Sequence, residues 1–202
     1  MENKWMKPNR REALLAGAGL TGLRAGTRVN ALHNHFIGIS PEVKFMHGTA
    51  IGDPVTIAQA LYGALKNNSG QPFASSPPLE TQLPNPQITQ IIGGTSMISG
   101  RVLTVDVERK ERFEELNVPL EPASQIESNF HFQAVGGGAA IVNAEFVLRP
   151  NEVDVVAETI SSNTFQISAV HNHELFIKPR LYYLHSGATG GPIFLAQVIR
   201  QR

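Results

Sequence analysis

The sequence predicts an α+β protein with two pseudo-symmetric units. Each unit is a mainly antiparallel sheet or hairpin that carries a His-x-His…His pattern and has flanking helices. The main observation is an internal repeat, because residues 29–61 align with residues 167–199 at a constant offset of 138, with 12 identities in 33 positions. About two identities are expected by chance in such a window, so the alignment indicates a duplicated unit. Two segments rich in apolar residues and glycine turns, 89–110 and 125–148, predict further strands.

The repeat divides the chain into three parts. Residues 1–67 form a first unit that is shortened on its N-terminal side, residues 68–87 form a Pro/Ser-rich linker, and residues 88–202 form a complete second unit. Only the second copy of the pattern follows a strand-forming segment, so the two units are expected to differ in the size of their sheets.

Each unit has the same order of predicted elements. A strand that carries His-Asn-His leads to a turn with proline, then to a second strand that ends in histidine, and then to a helix. The first of these helices begins at Asp53-Pro54, where the carboxylate can cap free amides and proline suits the first helical position. Another helix is predicted from about Pro150, directly before the second copy.

Composition excludes several classes of function. The chain has 17 Lys+Arg and 17 Asp+Glu, so a nucleic-acid partner is not expected. It has no cysteine, which excludes disulfides, thiolate metal ligands and cysteine nucleophiles. No segment approaches the roughly 18 apolar residues of a membrane span.

The N-terminal region allows two interpretations. Residues 10–23 predict an amphipathic helix, and this interpretation goes with a cytoplasmic location. Arg10 and Arg11 stand before a short apolar run, which is also typical of a twin-arginine export signal. Export is therefore the alternative.

Six of the seven histidines fall within the repeat. The first copy carries His33, His35 and His47, and the second carries His171, His173 and His185. Residues two apart on a strand point to the same face, so the two histidines of each His-x-His share a face. A turn centred near residue 40 predicts that the third histidine lies opposite the first, with Phe45 opposite the second. The matching register in the second copy sets His171 against His185 and Tyr183 against His173.

Three imidazoles on an apolar face are expected to be neutral and to need partners. A divalent transition metal would supply that partner, and zinc, iron, nickel, copper and manganese all accept imidazole nitrogen. Two alternatives remain at this point. The histidines could form a structural hydrogen-bond cluster with Asn34 and Asn172, or a metal-free acid–base site.

Carboxylates that could complete such a site lie on the predicted hairpin centred on Gly137. One face of this hairpin is apolar, and the other carries Glu127 and Glu145 among polar residues. We predict Glu145 first, and Glu127 second, as a metal ligand or general base; exposure to solvent is the other explanation of this face. Tyr183 could orient a substrate, although packing of its ring explains it equally well.

Both copies of the repeat resemble a known family. "NALHNHFIGISPEVKFMHGTAIGDPVTIAQAL", "SAVHNHELFIKPRLYYLHSGATGGPIFLAQVI" and "GGGAAIVNAEFVLRPNEVDVV" are similar to segments of the LppY/LpqO-like bacterial proteins, a family of unknown function. The resemblance covers most of residues 29–66 and 98–202. It implies a duplicated fold and an acidic residue at the Glu145 position, and it implies no particular chemistry.

The pattern favours a metal-binding protein, interpreted as a metal-dependent enzyme that acts on a small molecule through three histidines and a glutamate. Hydrolase and oxygenase chemistry are not distinguished at this point. The alternative is a non-catalytic protein that binds or senses a metal or a cell-wall ligand. A structural role of the histidines is a third interpretation, and a homodimer is possible because the first unit lacks strands to cover its edges.

Overall fold

The computed structural model describes residues 28–38, 42–66, 83–122 and 124–201. The helix expected at residues 10–23 and most of the expected linker lie outside these ranges. In chain order the elements are β1 (Arg28–His33), β2 (Phe45–Thr49), α1 (Pro54–Lys66), α2 (Asn85–Ile92), β3 (Thr95–Ser99), β4 (Val102–Glu108), β5 (Phe113–Glu115), β6 (Val118–Leu120), β7 (Glu127–Gly136), β8 (Ala139–Leu148), α3 (Val153–Ser161), β9 (Gln166–His171), β10 (Ile177–Lys178), β11 (Tyr182–Gly190) and α4 (Pro192–Arg200).

The chain separates into two compact units, of which one contains α1 and the other contains residues 29–48 together with residues 74–202. Helix α1 begins as its sequence predicts, because the backbone N–H of Thr56 donates to Asp53 Oδ1 at 2.9 Å. All six histidines of the repeat belong to the second unit.

The second unit is built on a six-stranded antiparallel sheet with the order β3-β4-β7-β8-β11-β9. One face of this sheet is apolar and packs on α2, α3 and α4 to form the main core. The core includes Phe130, Phe132, Phe146, Leu184, Ile88, Val156, Ile160, Leu195 and Ile199. The predicted α+β class, with mainly antiparallel sheets, is confirmed.

The opposite face of the large sheet carries the polar residues and the histidines of β9 and β11. A three-stranded sheet, with the order β10-β5-β6, contributes Phe113 and Ile177 to a second apolar cluster with Val147, Leu181 and Tyr183. Strands β1 and β2 pair with each other in a separate two-stranded sheet.

The hairpin of β7 and β8 has the predicted register, with Asn129 opposite Glu145 and Phe132 opposite Val142. Its apolar side is buried, as alternation along the strands predicts.

The register predicted for the second histidine hairpin is wrong by two residues. Tyr183 lies opposite His171, and His185 lies opposite Ala169. A bulge follows His185, and β9 ends at His171, so His173 lies beyond the strand. Because the shift is even, His171 and His185 still point to one face.

The prediction of a strand at the start of residues 89–110 is also wrong, because helix α2 extends to Ile92. Pro86 lies in the first turn of α2, Ile88 and Ile92 are four residues apart and both buried, and Gly93 ends the helix with φ of 81°. The strands expected after this point are present as β3 and β4. None of the described helices combines the length and the apolarity needed to cross a membrane.

Candidate metal centre

The two histidine triads face each other and form one cluster of six imidazoles. The ring centres of His33 and His171 are 3.8 Å apart, those of His35 and His185 are 4.1 Å apart, and those of His47 and His173 are 3.8 Å apart. We refer to these six residues as the histidine cluster. The sequence predicted a cluster in each copy, and the structure brings both copies to one place.

A serine on β9 connects the first histidine segment to the large sheet. Ser168 Oγ lies 3.0 Å from the backbone oxygen of His35 and 3.3 Å from that of His185. One hydroxyl therefore links the backbone of both copies at the cluster.

Aromatic rings stack on the second histidine of each His-x-His. The ring centres of His35 and Phe45 are 3.8 Å apart, and those of His173 and Tyr183 are 3.5 Å apart. Phe45 and Tyr183 are equivalent positions of the repeat. These stacks limit the orientations of both imidazoles and exclude water from one side of each ring.

Most ring nitrogens in the cluster lack a protein partner. The Nε2 atoms of His171 and His185 are 2.8 Å apart, and His171 Nδ1 lies 3.1 Å from the Asn172 backbone oxygen. The buried ring nitrogens with no hydrogen-bond partner among the described residues are His33 Nδ1 and Nε2, His35 Nε2, His47 Nε2, His173 Nδ1 and Nε2, and His185 Nδ1. Such atoms are costly unless a ligand binds them.

The asparagines that stand between the histidines of each His-Asn-His make hydrogen bonds elsewhere. Asn172 Nδ2 donates to the Leu181 backbone oxygen at 2.6 Å, and Asn34 Nδ2 donates to Glu42 Oε1 at 3.4 Å. Neither side-chain contact reaches an imidazole, so a hydrogen-bond cluster with Asn34 and Asn172 does not account for the ring nitrogens within the described part of the chain.

Burial keeps the imidazoles neutral. It is the largest cause that lowers the pKa of His33 to about 3, of His35 to about 4 and of His173 to about 2. The pKa values of His47, His171 and His185 are lowered for the same main reason. Neutral imidazole is the form that binds metal, so the rings need to lose few protons at neutral pH.

The cluster contains several sets of potential ligand atoms that lie within 4.8 Å of one another. Among the described residues these sets are His33/His35/His47, His33/His171/His185, His47/His171/His173 and His35/Glu145/His185. Three of the four sets combine histidines from both copies or add a glutamate. The residues of the predicted second triad are divided among these sets.

Glu145 extends the cluster on the side of β8. It lies opposite His185 in the sheet, and its Oε2 is 3.3 Å from His185 Nδ1, in a geometry that does not form a hydrogen bond. Burial, and secondarily the charge of Glu174, raises the pKa of Glu145 to about 7. This carboxyl group can therefore hold or release a proton close to neutral pH.

The other two residues predicted for the site are placed differently. Glu127 lies on β7 opposite Glu108 and belongs to none of the ligand sets found among the described residues. Tyr183 is fully buried, and its hydroxyl donates to the Gln125 backbone oxygen at 2.7 Å. Its ring thus supports His173, while its hydroxyl is engaged away from the histidines.

Sequence reasoning missed Glu174. Its Oε2 accepts from the Tyr183 hydroxyl at 3.3 Å, and burial with the charge of Glu115 raises its pKa to about 7. A carboxylate inside the apolar run that follows His173, where the first copy has Phe36, is the signal that could have identified it.

A cleft of about 340 Å³ opens beside the cluster at His35. Its polar lining includes Thr164, Gln166, Ser168 and Thr189, and its apolar lining includes Ile37, Ile141 and Ala188. A small molecule in this cleft would reach the edge of the histidine cluster at His35 and Ser168.

A family described as Domain of Unknown Function (DUF1259) matches residues 21–67 and 86–202. The chain belongs to this family. All six histidines and Glu145 lie within the matched residues. No curated protein and no solved structure matches the chain. The expected relation to a family of unknown function is confirmed, and the narrower resemblance to LppY/LpqO-like proteins stays a prediction.

Proposed function

We propose that this protein binds a divalent transition metal in the histidine cluster and uses it to act on a small molecule. The observation that carries the proposal is the set of buried ring nitrogens that converge without hydrogen-bond partners among the described residues. Burial of so many polar atoms is unfavourable without a ligand, and a cation that accepts nitrogen is the ligand that suits them all.

The donor set limits the metals. Imidazole nitrogen with one carboxylate suits zinc, iron, nickel or manganese. At a metal–nitrogen bond length of about 2.1 Å, two ligands at right angles have their nitrogens about 3.0 Å apart. The Glu145 Oε2–His185 Nδ1 separation of 3.3 Å is close to this value, so little movement of either side chain is needed.

The proposed catalytic role belongs to the edge of the cluster at the cleft. His35 lines the cleft, and Glu145 shares a ligand set with His35 and His185. A metal bound there supplies a Lewis acid, and Glu145 either ligates it or moves a proton at its Oε2. Tyr183 is a positioning residue because its ring supports His173. We also propose that the chain is related to the LppY/LpqO-like proteins.

Elemental analysis of untagged protein purified without chelator tests metal binding. We expect near-stoichiometric metal in the wild type. We expect His171→Ala to bind less metal than the wild type, because His171 belongs to two ligand sets. His131→Ala is the matched control, since His131 is exposed on the same sheet and its Nδ1 lies 2.9 Å from Thr104 Oγ1.

Replacement of a histidine in the first copy is an equally informative test. His47→Ala should lose metal as His171→Ala does, because His47 shares a ligand set with His171 and His173. Wild-type protein that binds no transition metal above background would overturn the proposal. Full retention of metal in His47→Ala would remove the first copy from that ligand set.

Non-catalytic metal binding is the second candidate function. The burial of His173 and His185, exposed by 2 % and 0 %, favours it, because ligands of a closed site offer little access. Azide added to Co²⁺-loaded protein distinguishes the two functions. A changed visible spectrum indicates an open coordination position and supports an enzyme, whereas an unchanged spectrum indicates a saturated ion.

A further inference from the structure

The histidine cluster is too extended for a single ion to bind all of it. Two atoms bound to one ion lie at most about 4.2 Å apart, twice a bond of about 2.1 Å. The sets of ligand atoms within 4.8 Å of one another contain three residues each among the described residues. His173 and His185 occur together in none of these sets, although each has a close neighbour from the other copy.

Two of the four ligand sets have no residue in common. We call His35, Glu145 and His185 the first group, and His47, His171 and His173 the second group. The first group contains the close pair His35–His185, with ring centres 4.1 Å apart. The second group contains the close pair His47–His173 at 3.8 Å. The offset of 138 relates His35 to His173 and His47 to His185, so the two pairs occupy equivalent positions of the repeat.

On the basis of the proposed function, we propose that the protein binds two metal ions, one in the first group and one in the second group. Each group takes histidines from both copies of the repeat. Neither copy alone can supply either pair, so both ion positions require the duplicated unit.

The two positions differ in chemistry. The first group has two histidines and one carboxylate, the donor set of many mononuclear iron sites with open positions. The second group has three neutral histidines, a donor set that suits zinc. Only the first group borders the cleft, through His35, so it is the position that a small molecule reaches.

His33 lies between the two groups. It shares a ligand set with His35 and His47, and another with His171 and His185. Both of its nitrogens are buried without a hydrogen-bond partner among the described residues. His33 can therefore complete either position, and the two positions adjoin.

Titration of the full chain with Co²⁺, followed by desalting and elemental analysis, counts the ions directly. We expect two ions per chain in the wild type and in the control His131→Ala. The double variant His35→Ala/Glu145→Gln and the single variant His173→Ala should each retain one ion. Glu145→Gln alone should lower the affinity for one ion by roughly 10-fold or more and leave the affinity for the other unchanged.

Visible spectra identify which ion remains. Co²⁺ in the first-group variant should have only nitrogen ligands from the protein, and its spectrum should differ from that of Co²⁺ in His173→Ala. One ion in the wild type that both variants abolish would overturn the two-ion proposal and leave the proposed function intact. No bound metal at all would overturn both.

Electron paramagnetic resonance of the Mn²⁺-loaded wild type keeps the test independent of whether the variants fold. Neighbouring ions interact magnetically, so the signal at full loading should broaden relative to that at half loading. An uncoupled signal that saturates at one ion per chain would overturn the proposal.

Discussion

The two copies of the repeat carry the same histidines on unlike supports. Strands β9 and β11 belong to the six-stranded sheet, whose other face packs on three helices. Strands β1 and β2 form a two-stranded sheet. Burial differs accordingly at equivalent positions of the repeat, because Leu184 is fully buried and Met46 is 55 % exposed.

This difference assigns separate roles to the copies. A two-stranded hairpin is marginally stable by itself, whereas a strand inside a sheet with a packed core is fixed by its neighbours. The second copy therefore sets the positions of its histidines, and the first copy takes its position from contacts such as Ser168 Oγ–His35 O. In the proposed metal centre, the histidines of the second copy would thus be held rigidly, and those of the first copy would adjust their positions to the ion.

The largest effect expected from this comparison is on stability. Leu184→Ala should lower the free energy of unfolding by about 2–5 kcal/mol, because it opens a cavity in the main core. Met46→Ala should change it by less than about 0.5 kcal/mol, because that side chain is exposed. Urea denaturation of the chelator-treated protein measures both. Equal losses would show that the first copy is packed as firmly as the second.

Periodicity explains what the sequence could predict. Alternation along β7 and β8 determines which residues face the core, so the apolar side with Phe130 and Phe132 and the register of Asn129 against Glu145 followed from the pattern alone. Strand spacing likewise predicted that His171 and His185 share a face.

Tertiary structure explains what the sequence could not predict. The contact of His33 with His171 joins residues from separate segments, and no local pattern encodes it. The connection from β9 to β11 contains β10 and is longer than a tight proline turn, so the predicted register was wrong by two residues. Helix α2 was missed because its eight residues are too few for their apolar spacing to be distinguished from that of a strand.

A smaller effect separates the two supports when metal binds. Saturation with Zn²⁺ at about 100 times the dissociation constant stabilises the bound form by about 2.7 kcal/mol. We expect slower amide hydrogen exchange mainly in β1 and β2, because β11 is already fixed by the core. Exchange measured by mass spectrometry, with and without Zn²⁺, checks this. Equal slowing in β11 would mean that both supports depend on the ion.

The smallest effect concerns the stacked aromatic residues. Tyr183→Phe removes the hydrogen bonds to the Gln125 backbone oxygen and to Glu174 Oε2, and it should cost about 1 kcal/mol of stability. It should leave metal affinity unchanged. At the equivalent position of the first copy, Phe45 has no hydroxyl group, and its ring centre still lies 3.8 Å from that of His35. Thermal unfolding and Co²⁺ titration of the same variant measure the two quantities. A tenfold loss of affinity would place the hydroxyl of Tyr183 in the metal centre. Unchanged affinity with reduced stability would restrict Tyr183 to supporting the ring of His173.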